Sequence, residues 1–274
     1  MNILQSDKPI IMGILNVTAD SFSDGGRYLD VDAAVRHAVA MVEQGADIID
    51  VGGESTRPGA QRVAEAGQKD RVLPVIERLC DKLPAGVMIS IDTTLAGVAE
   101  AALQAGASMI NDISAGREDD DILRLAADRG VPMVLMHMQG TPATMQDAPS
   151  YGDVVEDIRA FLLQRAEAAE KAGIEHKHII LDPGIGFGKT RRHNLALLAN
   201  LNRFVDTGYV VMLGTSRKRF MGSICHIDDV TELAGATCAT TALGVMTGVR
   251  LFRVHDVMAN RQAADVAWAV KNSK

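Results

Sequence analysis

Short apolar runs alternate with longer amphipathic segments along most of the chain. Several times an amphipathic segment ends at a glycine, a short apolar run follows, and that run ends on a polar residue. Instances are QGADIIDVGG, QAGASMINDIS, DRGVPMVLMHM, KAGIEHKHIILDPG, TGYVVMLGTS and TGVRLFRVHD. Glycine is favoured directly after a helix because it adopts a positive φ freely. Runs that are apolar on both faces are typical of parallel strands covered on each side.

Eight strands follow from this pattern once the runs PIIMGIL and VMISIDT are included. The predicted strands are 9–15, 47–51, 87–92, 107–111, 132–137, 178–182, 209–214 and 249–254. The predicted helices are 31–44, 64–82, 95–104, 119–129, 151–172, 193–205, 231–247 and 256–272. This alternation predicts an α/β fold, a (β/α)8 barrel (TIM barrel), with residues 1–274 forming a single domain. A doubly wound open sheet is the alternative, but it rarely has eight strictly alternating units and usually has a glycine-rich first turn.

The composition is that of a folded protein with a large core. Of the 274 residues, 47% are hydrophobic and 23% are charged, which excludes a disordered chain. The 28 Lys and Arg residues against 35 Asp and Glu residues give a net charge of −7. This balance argues against the dense basic surface that binds nucleic acid. A local cluster of Arg and Lys could still bind a small anionic substrate.

The localisation is predicted from the absence of membrane-span and signal-peptide patterns and from the number and spacing of the cysteines. No apolar stretch approaches the roughly 18 residues of a membrane span, and the segment MNILQSDKPIIMGIL lacks the small-residue cleavage site of a signal peptide. Cys80, Cys225 and Cys238 are odd in number and lack C-x-x-C spacing, which excludes a disulfide framework and a standard zinc ribbon. We expect a cytoplasmic protein with neither a membrane nor a nucleic-acid partner.

Polar residues follow or end all eight predicted strands. In a (β/α)8 barrel the active site forms at the carboxyl ends of the strands. The candidates at these ends are Asn16, Asp50, Asp92, Asn111, Asp112, Met136, His137, Asp182, Ser216, Lys218, Arg253, His255 and Asp256. One polar strand end is commonly a cap of the next helix, but eight together indicate a binding site.

The segment DPGIGFGKT shares only part of a phosphate-loop pattern. Pro183 stands where the Walker pattern needs its first glycine, and Lys189 stands where a G-x-G-x-x-G pattern needs its third. We therefore interpret the segment as a rigid Pro-Gly turn that aims Asp182 into the barrel mouth.

Other polar segments have simpler interpretations. His176 and His178 precede the sixth strand, at the end of the barrel opposite the site, so we expect solvated loop histidines rather than a metal pair. The acidic run 118–121 is expected to form the charged first turn of a helix. The loops 16–30 and 52–63 are longer than ordinary strand-to-helix connections, and we expect them to close over a substrate.

Eight motifs together resemble one known family. ILNVTADSFSDGG, DVGGESTRPGA, SIDT, INDIS, HMQGTP, DPGIGFGK, TSRK and RVHD occur in this order from about residue 9 to about residue 256. Their order and spacing resemble those of the dihydropteroate synthase family of the folate pathway. The resemblance implies a barrel enzyme, a transferase that condenses 6-hydroxymethyl-7,8-dihydropterin pyrophosphate with p-aminobenzoate and releases pyrophosphate.

The resemblance also implies roles for the residues of a pterin pocket. The pterin would be bound by Asp92, Asn111, Asp182 and Lys218. Carboxylate and amide oxygens suit the N–H donors of a 2-amino-4-oxo pterin edge, and Lys218 can donate to its carbonyl and a ring nitrogen. Met136 and Phe187 would pack near the ring, and Arg253 would stack on it as a planar cation.

A further set of residues is implied for the leaving group and the arylamine. The pyrophosphate would be held by Asn16, Thr56, Arg57, Arg253 and His255. A Mg²⁺ ion would bridge Asn16 and the phosphate oxygens, because Mg²⁺ commonly binds one or two protein oxygens plus substrate phosphates. The p-aminobenzoate carboxylate would lie near Ser216, where the run SRKRF begins a helix with exposed N–H groups. The arylamine would be covered by Phe22, Thr56 and Pro58.

The family resemblance further implies a dissociative substitution and a homodimer. Pyrophosphate would leave before the amine attacks, with catalytic roles for Asp92, Asp182, Lys218, Arg253 and His255. Sulfonamides, which resemble p-aminobenzoate, would compete for the arylamine site. For the dimer, the last two helices have apolar residues that could lie on the surface, such as Leu243, Val266 and Trp268.

Three positions depart from the family pattern, and other functions stay open. The departures are Ala19, Ala143 and Arg219, none of which carries an assigned role. A methyltransferase barrel that binds methyltetrahydrofolate would share Asp92, Asn111 and Asp182 but would need neither the two long loops nor RVHD. A pterin-binding module without catalysis, or a barrel acting on an unrelated phosphorylated substrate, are further alternatives. Pyrophosphate release with both substrates present separates the synthase from a module that only binds.

Overall fold

Eight parallel strands close into a barrel in which each strand pairs with the next in sequence and the last pairs with the first. The computed structural model describes residues 7–17, 27–55 and 59–273. The strands are β1 (Ile10–Asn16), β2 (Ile48–Gly52), β3 (Met88–Asp92), β4 (Met109–Asp112), β5 (Met133–Met136), β6 (Ile179–Asp182), β7 (Val210–Leu213) and β8 (Leu251–Val254). The predicted (β/α)8 fold is confirmed, and every predicted strand ends within two residues of its observed bounds.

Helices surround the barrel. They are α1 (Arg27–Glu43), α2 (Glu65–Lys82), α3 (Ala96–Gln104), α4 (Asp121–Arg129), α5 (Val154–Lys171), α6 (Arg191–Ala199), α7 (Asn202–Val205), α8 (Arg219–Cys225), α9 (Ala234–Thr247) and α10 (Val257–Lys271). Within the described ranges, none of these helices is both long enough and apolar enough to cross a membrane.

Three of the helix predictions are corrected by the structure. The predicted helix 193–205 is two helices, because Asn200 leaves the helical conformation at φ −123° and ψ 30° and its side-chain amide donates to the carbonyl of Ala196. The predicted helices omit α8, which has seven residues and is too short to show an amphipathic period. Its start at Arg219 agrees with the expectation that SRKRF begins a helix. Helix α1 begins four residues earlier than predicted.

The acidic run 118–121 is not the first turn of a helix, since α4 begins only at Asp121. Glu118 instead forms an ion pair with Arg62 at 2.7 Å, and the carboxylate of Asp119 accepts a hydrogen bond from the backbone of Ala96 at 2.7 Å. Both residues therefore connect neighbouring loops, and their partners are distant in sequence.

Side chains on each strand alternate between two separate cores. Outward-facing residues such as Ile49, Ile91 and Phe252 pack beneath the helices. Inward-facing residues fill the barrel lumen with an apolar layer composed of Ile10, Met12, Ile48, Met109, Val134, Ile180, Met212 and Leu251. Because these side chains fill the lumen, it is a packed core rather than a channel. Burying one of them contributes roughly 1.5–3 kcal/mol to the stability of the fold.

The same alternation places polar side chains above this apolar layer. Inward positions on a strand are two residues apart. Asp50 therefore follows Ile48, Asn111 follows Met109, Asp182 follows Ile180 and Arg253 follows Leu251 on the inner face. The polar strand ends converge on the carboxyl-terminal mouth because the fold is a closed parallel barrel.

Helices α9 and α10 pack on each other and present an apolar outer face. Its exposed side chains are Leu243, Met246, Met258, Val266 and Val270. Leu243 and Val266 are surface residues as the sequence analysis expected, whereas Trp268 is half-buried and its indole nitrogen donates to the carbonyl of Asp7 at 3.2 Å. An apolar face of this kind on a folded protein commonly marks a contact surface.

Candidate active site

A largely buried arginine, 18% exposed, joins two carboxylates at the centre of the barrel mouth. The Nε of Arg253 donates to Oδ2 of Asp50 at 2.6 Å, and its Nη2 donates to Oδ2 of Asp92 at 2.7 Å. The side chain of Asp50 is completely buried, and that of Asp92 is nearly so. Burial raises the pKa of Asp92 to about 7; the charge of Arg253 opposes this rise and that of Asp50 adds to it. A carboxylate poised near neutral pH can respond to the donors of a ligand.

Asn111 belongs to the same cluster. Its Nδ2 donates to Oδ2 of Asp50 at 2.9 Å, and the residue is buried. A carboxylate can only accept, so the nitrogen of the amide must face Asp50 and the oxygen must point elsewhere. Asp50, which the sequence analysis noted at a strand end without a role, is therefore a contact of two predicted site residues.

The Pro-Gly turn after β6 holds Asp182 as predicted. Oδ1 of Asp182 accepts a hydrogen bond from the backbone nitrogen of Gly184 at 2.7 Å. Gly184 has a φ of 66°, and a Cβ at this position would overlap the carbonyl oxygen of His137, so glycine is needed for the close approach. Burial raises the pKa of Asp182 to about 6, although the Gly184 bond and the charge of Lys218 oppose the rise.

Lys218 and Phe187 form the opposite wall of the mouth. The ammonium of Lys218 lies 4.0 Å from the centroid of the Phe187 ring, which is a cation–π contact. Burial and the charge of Arg253 lower the pKa of Lys218 to about 8, so it is still mostly protonated at neutral pH. Phe187 and Met136, predicted to pack near a ring, lie in one apolar cluster with Ile113, Met138 and Met145.

Ser216 and His255, predicted for two different parts of the substrates, are hydrogen-bonded to each other. The Oγ of Ser216 lies 2.9 Å from Nδ1 of His255 and accepts from the backbone nitrogen of His255 at 3.1 Å. Burial lowers the pKa of His255 to about 3, with help from the charges of Arg253 and Arg217, so its ring is neutral at pH 7. The Ser216 hydroxyl can donate to Nδ1 or accept from it, so this contact fits either neutral tautomer of the His255 ring.

A bidentate ion pair also joins the loops that follow β7 and β8. Arg217 donates to the two carboxylate oxygens of Asp256 at 3.0 and 2.6 Å. Arg217 also has a φ of 57°, in the left-handed region that a non-glycine residue rarely adopts. Nothing in the sequence singles out Arg217 for this contact, since only closure of the barrel brings the ends of β7 and β8 together.

Lys189 is a second residue that sequence reasoning missed. It is buried, and its ammonium donates to the carbonyl of Phe187 at 2.8 Å and to the carbonyl of His137 at 3.3 Å, while Nδ1 of His137 lies 3.0 Å away. Burial lowers its pKa well below the usual value, and Asp182 opposes this. In the sequence Lys189 stands out only as a lysine in an incomplete phosphate-loop pattern, because one of its acceptors, the carbonyl of His137, is 52 positions away at the end of β5.

Asn16 lies at the end of β1, beside Gly52 of β2. A methyl group on Gly52 would lie 3.6 Å from Oδ2 of Asp92 and 3.7 Å from Oδ1 of Asn16, so the small residue leaves space between two oxygen atoms. Amide and carboxylate oxygens are the hard donors that Mg²⁺ prefers. The donor types at this place therefore fit a magnesium ion carried by a phosphate substrate.

Some predicted site residues lie outside the described residues. These are Phe22, Thr56, Arg57 and Pro58, in the loops 16–30 and 52–63. Of the two histidines before β6 that were not expected to bind a metal, His176 pairs through Nδ1 with Glu170 at 2.8 Å. Across the part of the chain that the structure describes, no group of three or more His, Cys, Asp or Glu side chains could hold a metal ion.

Comparison with known proteins points to one family. The family model described as pterin binding enzyme matches residues 12–255. The dihydropteroate synthase of Bacillus subtilis is 46% identical over 266 residues, covering 97% of this chain and 90% of the relative. The dihydropteroate synthase of Escherichia coli is 42% identical, covering 99% and 95%.

Solved structures give the same result. Dihydropteroate synthase of Xanthomonas albilineans, solved with 4-aminobenzoic acid, has a TM-score of 0.91 and 45% identity, covering 98% of this chain and 95% of that one. The Yersinia pestis enzyme, solved with a sulfonamide drug, has a TM-score of 0.91 and 40% identity, covering 100% and 97%. These relatives bear the name of the synthase and not that of a methyltransferase.

The anchoring by Lys189 can be tested by stability. Lys189→Met keeps the length of the side chain but leaves the carbonyls of Phe187 and His137 unpaired in the interior. We expect the free energy of unfolding in urea to fall by about 2–3 kcal/mol. Lys177→Met, at a half-exposed lysine, serves as the control and should change it by less than about 0.5 kcal/mol. Equal effects of the two substitutions would contradict the anchoring role.

Proposed function

Because this chain belongs to the dihydropteroate synthase family, and is therefore a transferase of folate synthesis, we propose that the described barrel mouth is its active site. There, 6-hydroxymethyl-7,8-dihydropterin pyrophosphate would react with p-aminobenzoate to give 7,8-dihydropteroate and pyrophosphate. The observation that carries this proposal is that Asp92, Asn111, Asp182 and Arg253 lie on the inner face at the carboxyl ends of their strands, with Lys218 of the loop after β7 at the same mouth.

The pterin is recognised by acceptors on one side and a cation on the other. Asp182 accepts from the paired N–H groups of the 2-amino-4-oxo edge, and Asp92 and Asn111 accept from the remaining ring N–H groups. Lys218 donates to the pterin carbonyl and a ring nitrogen. Met136 and Phe187 supply the apolar surface on which the ring lies, and the face of the Arg253 guanidinium can stack on it because its contacts with the carboxylates use its edge.

The reaction is a substitution at the carbon attached to the pterin. The C–O bond breaks first and its electron pair leaves with pyrophosphate, while the electron-rich dihydropterin stabilises the resulting cation. The neutral amine of p-aminobenzoate then supplies the electron pair of the new C–N bond, and the nitrogen releases a proton. No nucleophilic Ser or Cys is required.

Arg253 and His255 stabilise the departing charge. Arg253 carries a permanent positive charge, and the neutral ring of His255, in the tautomer protonated at Nε2, donates an N–H to the leaving group. Asn16, with Thr56 and Arg57, completes the anion site. Asn16 would hold Mg²⁺, which when bound would neutralise charge on the pyrophosphate oxygens. Ser216 would receive the p-aminobenzoate carboxylate, with Phe22, Thr56 and Pro58 covering the ring.

We further expect a cytoplasmic homodimer. The free thiols of Cys80, Cys225 and Cys238 suit a reducing compartment. The apolar outer face of α9 and α10, with Leu243 57% and Val266 66% exposed, suits a contact between two copies of this chain.

The reaction itself is the first test. Purified protein is incubated with pterin pyrophosphate, p-aminobenzoate and Mg²⁺, and both pyrophosphate and dihydropteroate are quantified. We expect both products in equal amounts, and inhibition by a sulfonamide that competes with p-aminobenzoate. Binding of pterin without release of pyrophosphate would identify a non-catalytic module and overturn the proposal.

Asp182→Asn should weaken binding of a pyrophosphate-free pterin by about 2–3 kcal/mol at pH 8, because an amide has one acceptor oxygen where a carboxylate has two. In the unmutated protein the affinity should fall as the pH drops below about 6–7. Asp182 and Asp92, with pKa values raised to about 6 and about 7, become protonated there and stop accepting. In Asp182→Asn the part of this fall due to Asp182 should disappear.

Calorimetric titration at pH 5 and pH 8 measures both effects. Asp47→Asn is the control, since Asp47 is another carboxyl with a pKa raised by burial but precedes β2, at the opposite end of the barrel. An affinity that is unchanged in Asp182→Asn would reduce Asp182 to a residue that only holds the turn at Gly184.

His255→Ala should slow pyrophosphate release by about 100-fold while leaving the affinity for pyrophosphate-free pterin unchanged. The charge that His255 opposes grows as the bond breaks, so the loss belongs to the transition state. Rapid-quench measurement of pyrophosphate beside the pterin dissociation constant separates the two quantities. His178→Ala, before β6 at the far end of the barrel, is the control. An intact release rate would place the anion site elsewhere.

The dimer is tested by Leu243→Glu and Val266→Glu, which put charges on the apolar face of α9 and α10. Light scattering after gel filtration should show a dimer for the unmutated protein and a monomer for either variant. Leu195→Glu, at a residue of α6 that is 41% exposed, should remain dimeric. An unmutated protein that is monomeric at micromolar concentration would contradict the expectation.

A further inference from the structure

Asp50 is a buried carboxylate in the middle of the site that the proposed chemistry does not use. It lies on the inner face of β2, and its exposed fraction is zero. Its Oδ2 accepts two hydrogen bonds, whereas its Oδ1 has no hydrogen-bond partner within the described residues. A buried carboxylate is costly, and a half-satisfied one more so. A carboxylate placed here at such a cost suggests a specific role.

The two donors to Asp50 come from elements that barrel closure brings together. One is Nδ2 of Asn111 on β4 at 2.9 Å, and the other is Nε of Arg253 on β8 at 2.6 Å. Both of these residues have a place in the proposed pterin site, and Asp50 contacts neither through its backbone. The carboxylate thus connects two side chains that the proposed reaction needs in defined orientations.

The contact with Asn111 decides which way its amide faces. An asparagine amide presents an acceptor at one end and donors at the other, and the two orientations have the same shape. Because Asp50 only accepts, Nδ2 of Asn111 is held on Asp50 and its Oδ1 is turned away from it. The contact with Arg253 similarly directs the edge of the guanidinium, whose other nitrogen contacts Asp92 at 2.7 Å.

We propose that Asp50 is a positioning residue that fixes the amide of Asn111 with its oxygen towards the ligand, so that Asp92, Asn111 and Asp182 together present only acceptors to the pterin ring. This inference rests on the proposed function. It makes Asp50 a determinant of specificity for a ring that carries N–H groups at its edge, although Asp50 does not touch the ligand.

The charge of Asp50 has a second effect, on its neighbour Asp92. Burial is the main cause of the raised pKa of Asp92, and the negative charge of Asp50 raises it further. Removing only this charge therefore lowers the pKa of Asp92. The part of the acid limb that is due to Asp92 should then move to a lower pH, whereas the part due to Asp182 should stay in place.

Two substitutions separate orientation from charge. Asp50→Asn removes the charge but keeps an oxygen that can accept from Asn111 and Arg253. Asp50→Leu has similar size and removes both acceptors. Ser90→Ala is the matched control, because Ser90 faces Asp50 in the strand register and its hydroxyl is likewise buried and unpartnered among the described residues.

The experiment is a double-mutant cycle on the full chain with 6-hydroxymethylpterin as the probe, measured by calorimetry at pH 8. Asp50→Leu should weaken binding by about 10- to 100-fold in the unmutated background. In the Asn111→Ala background the same substitution should cost at least threefold less, because the amide that it orients is gone. Ser90→Ala should leave the dissociation constant unchanged.

Asp50→Asn should keep the affinity at pH 8 within about threefold and shift the part of the acid limb that is due to Asp92 to lower pH. If Asp50→Leu cannot be purified in folded form, Asp50→Ser takes its place in the same cycle, because the shorter side chain no longer reaches Nδ2 of Asn111. Equal losses for Asp50→Leu in both backgrounds, or a loss in Asp50→Asn as large as in Asp50→Leu, would overturn the positioning role. Failure of the unmutated protein to bind the pterin would instead overturn the proposed function.

Discussion

Closure of eight parallel strands into a barrel forces every second side chain into a narrow lumen, and the rest of the molecule is arranged around that constraint. Lower in the lumen the inward positions are apolar and pack against one another, as Ile48, Ile180 and Leu251 do. Two residues further along the same strands, the inward positions meet the mouth and carry Asp50, Asp182 and Arg253 in place of apolar groups. A polar layer seated on an apolar one gives a rigid floor for a binding site, since neither layer can shift without the other.

The charged side chains of the polar layer are buried at a cost in desolvation energy, which contacts with a ligand can offset. Asp50, Asp92 and Asp182 share the mouth with Arg253 and Lys218, and removing such charges from water costs several kcal/mol for each ion before pairing. Burial accordingly raises the pKa of Asp92 and Asp182 and lowers that of Lys218. A flat ring that offers N–H groups to the carboxylates and a carbonyl to the lysine would stabilise the ionised forms of these side chains.

Loops at the mouth are held by contacts that cross from one strand end to another. Lys189 ties the turn after β6 to the end of β5 through the carbonyls of Phe187 and His137. The ion pair between Arg217 and Asp256 joins the loops after β7 and β8, as does the hydrogen bond between Ser216 and His255. These contacts explain how side chains carried on the mouth loops can keep a defined geometry.

Local sequence was sufficient for the strands, for most of the helices and for the polar residues at strand ends, because period-two alternation and glycine after helices are properties of neighbouring residues. The order of eight motifs was sufficient for the family. The side-chain contacts of the site could not be predicted from local sequence, because the partners are far apart in the chain. Asp50 and Arg253 are 203 positions apart, and Asp92 and Arg253 are 161 apart. Which oxygen accepts, which end of the Asn111 amide faces inward and how far a pKa shifts all depend on distance and burial, and these exist only once the barrel has closed.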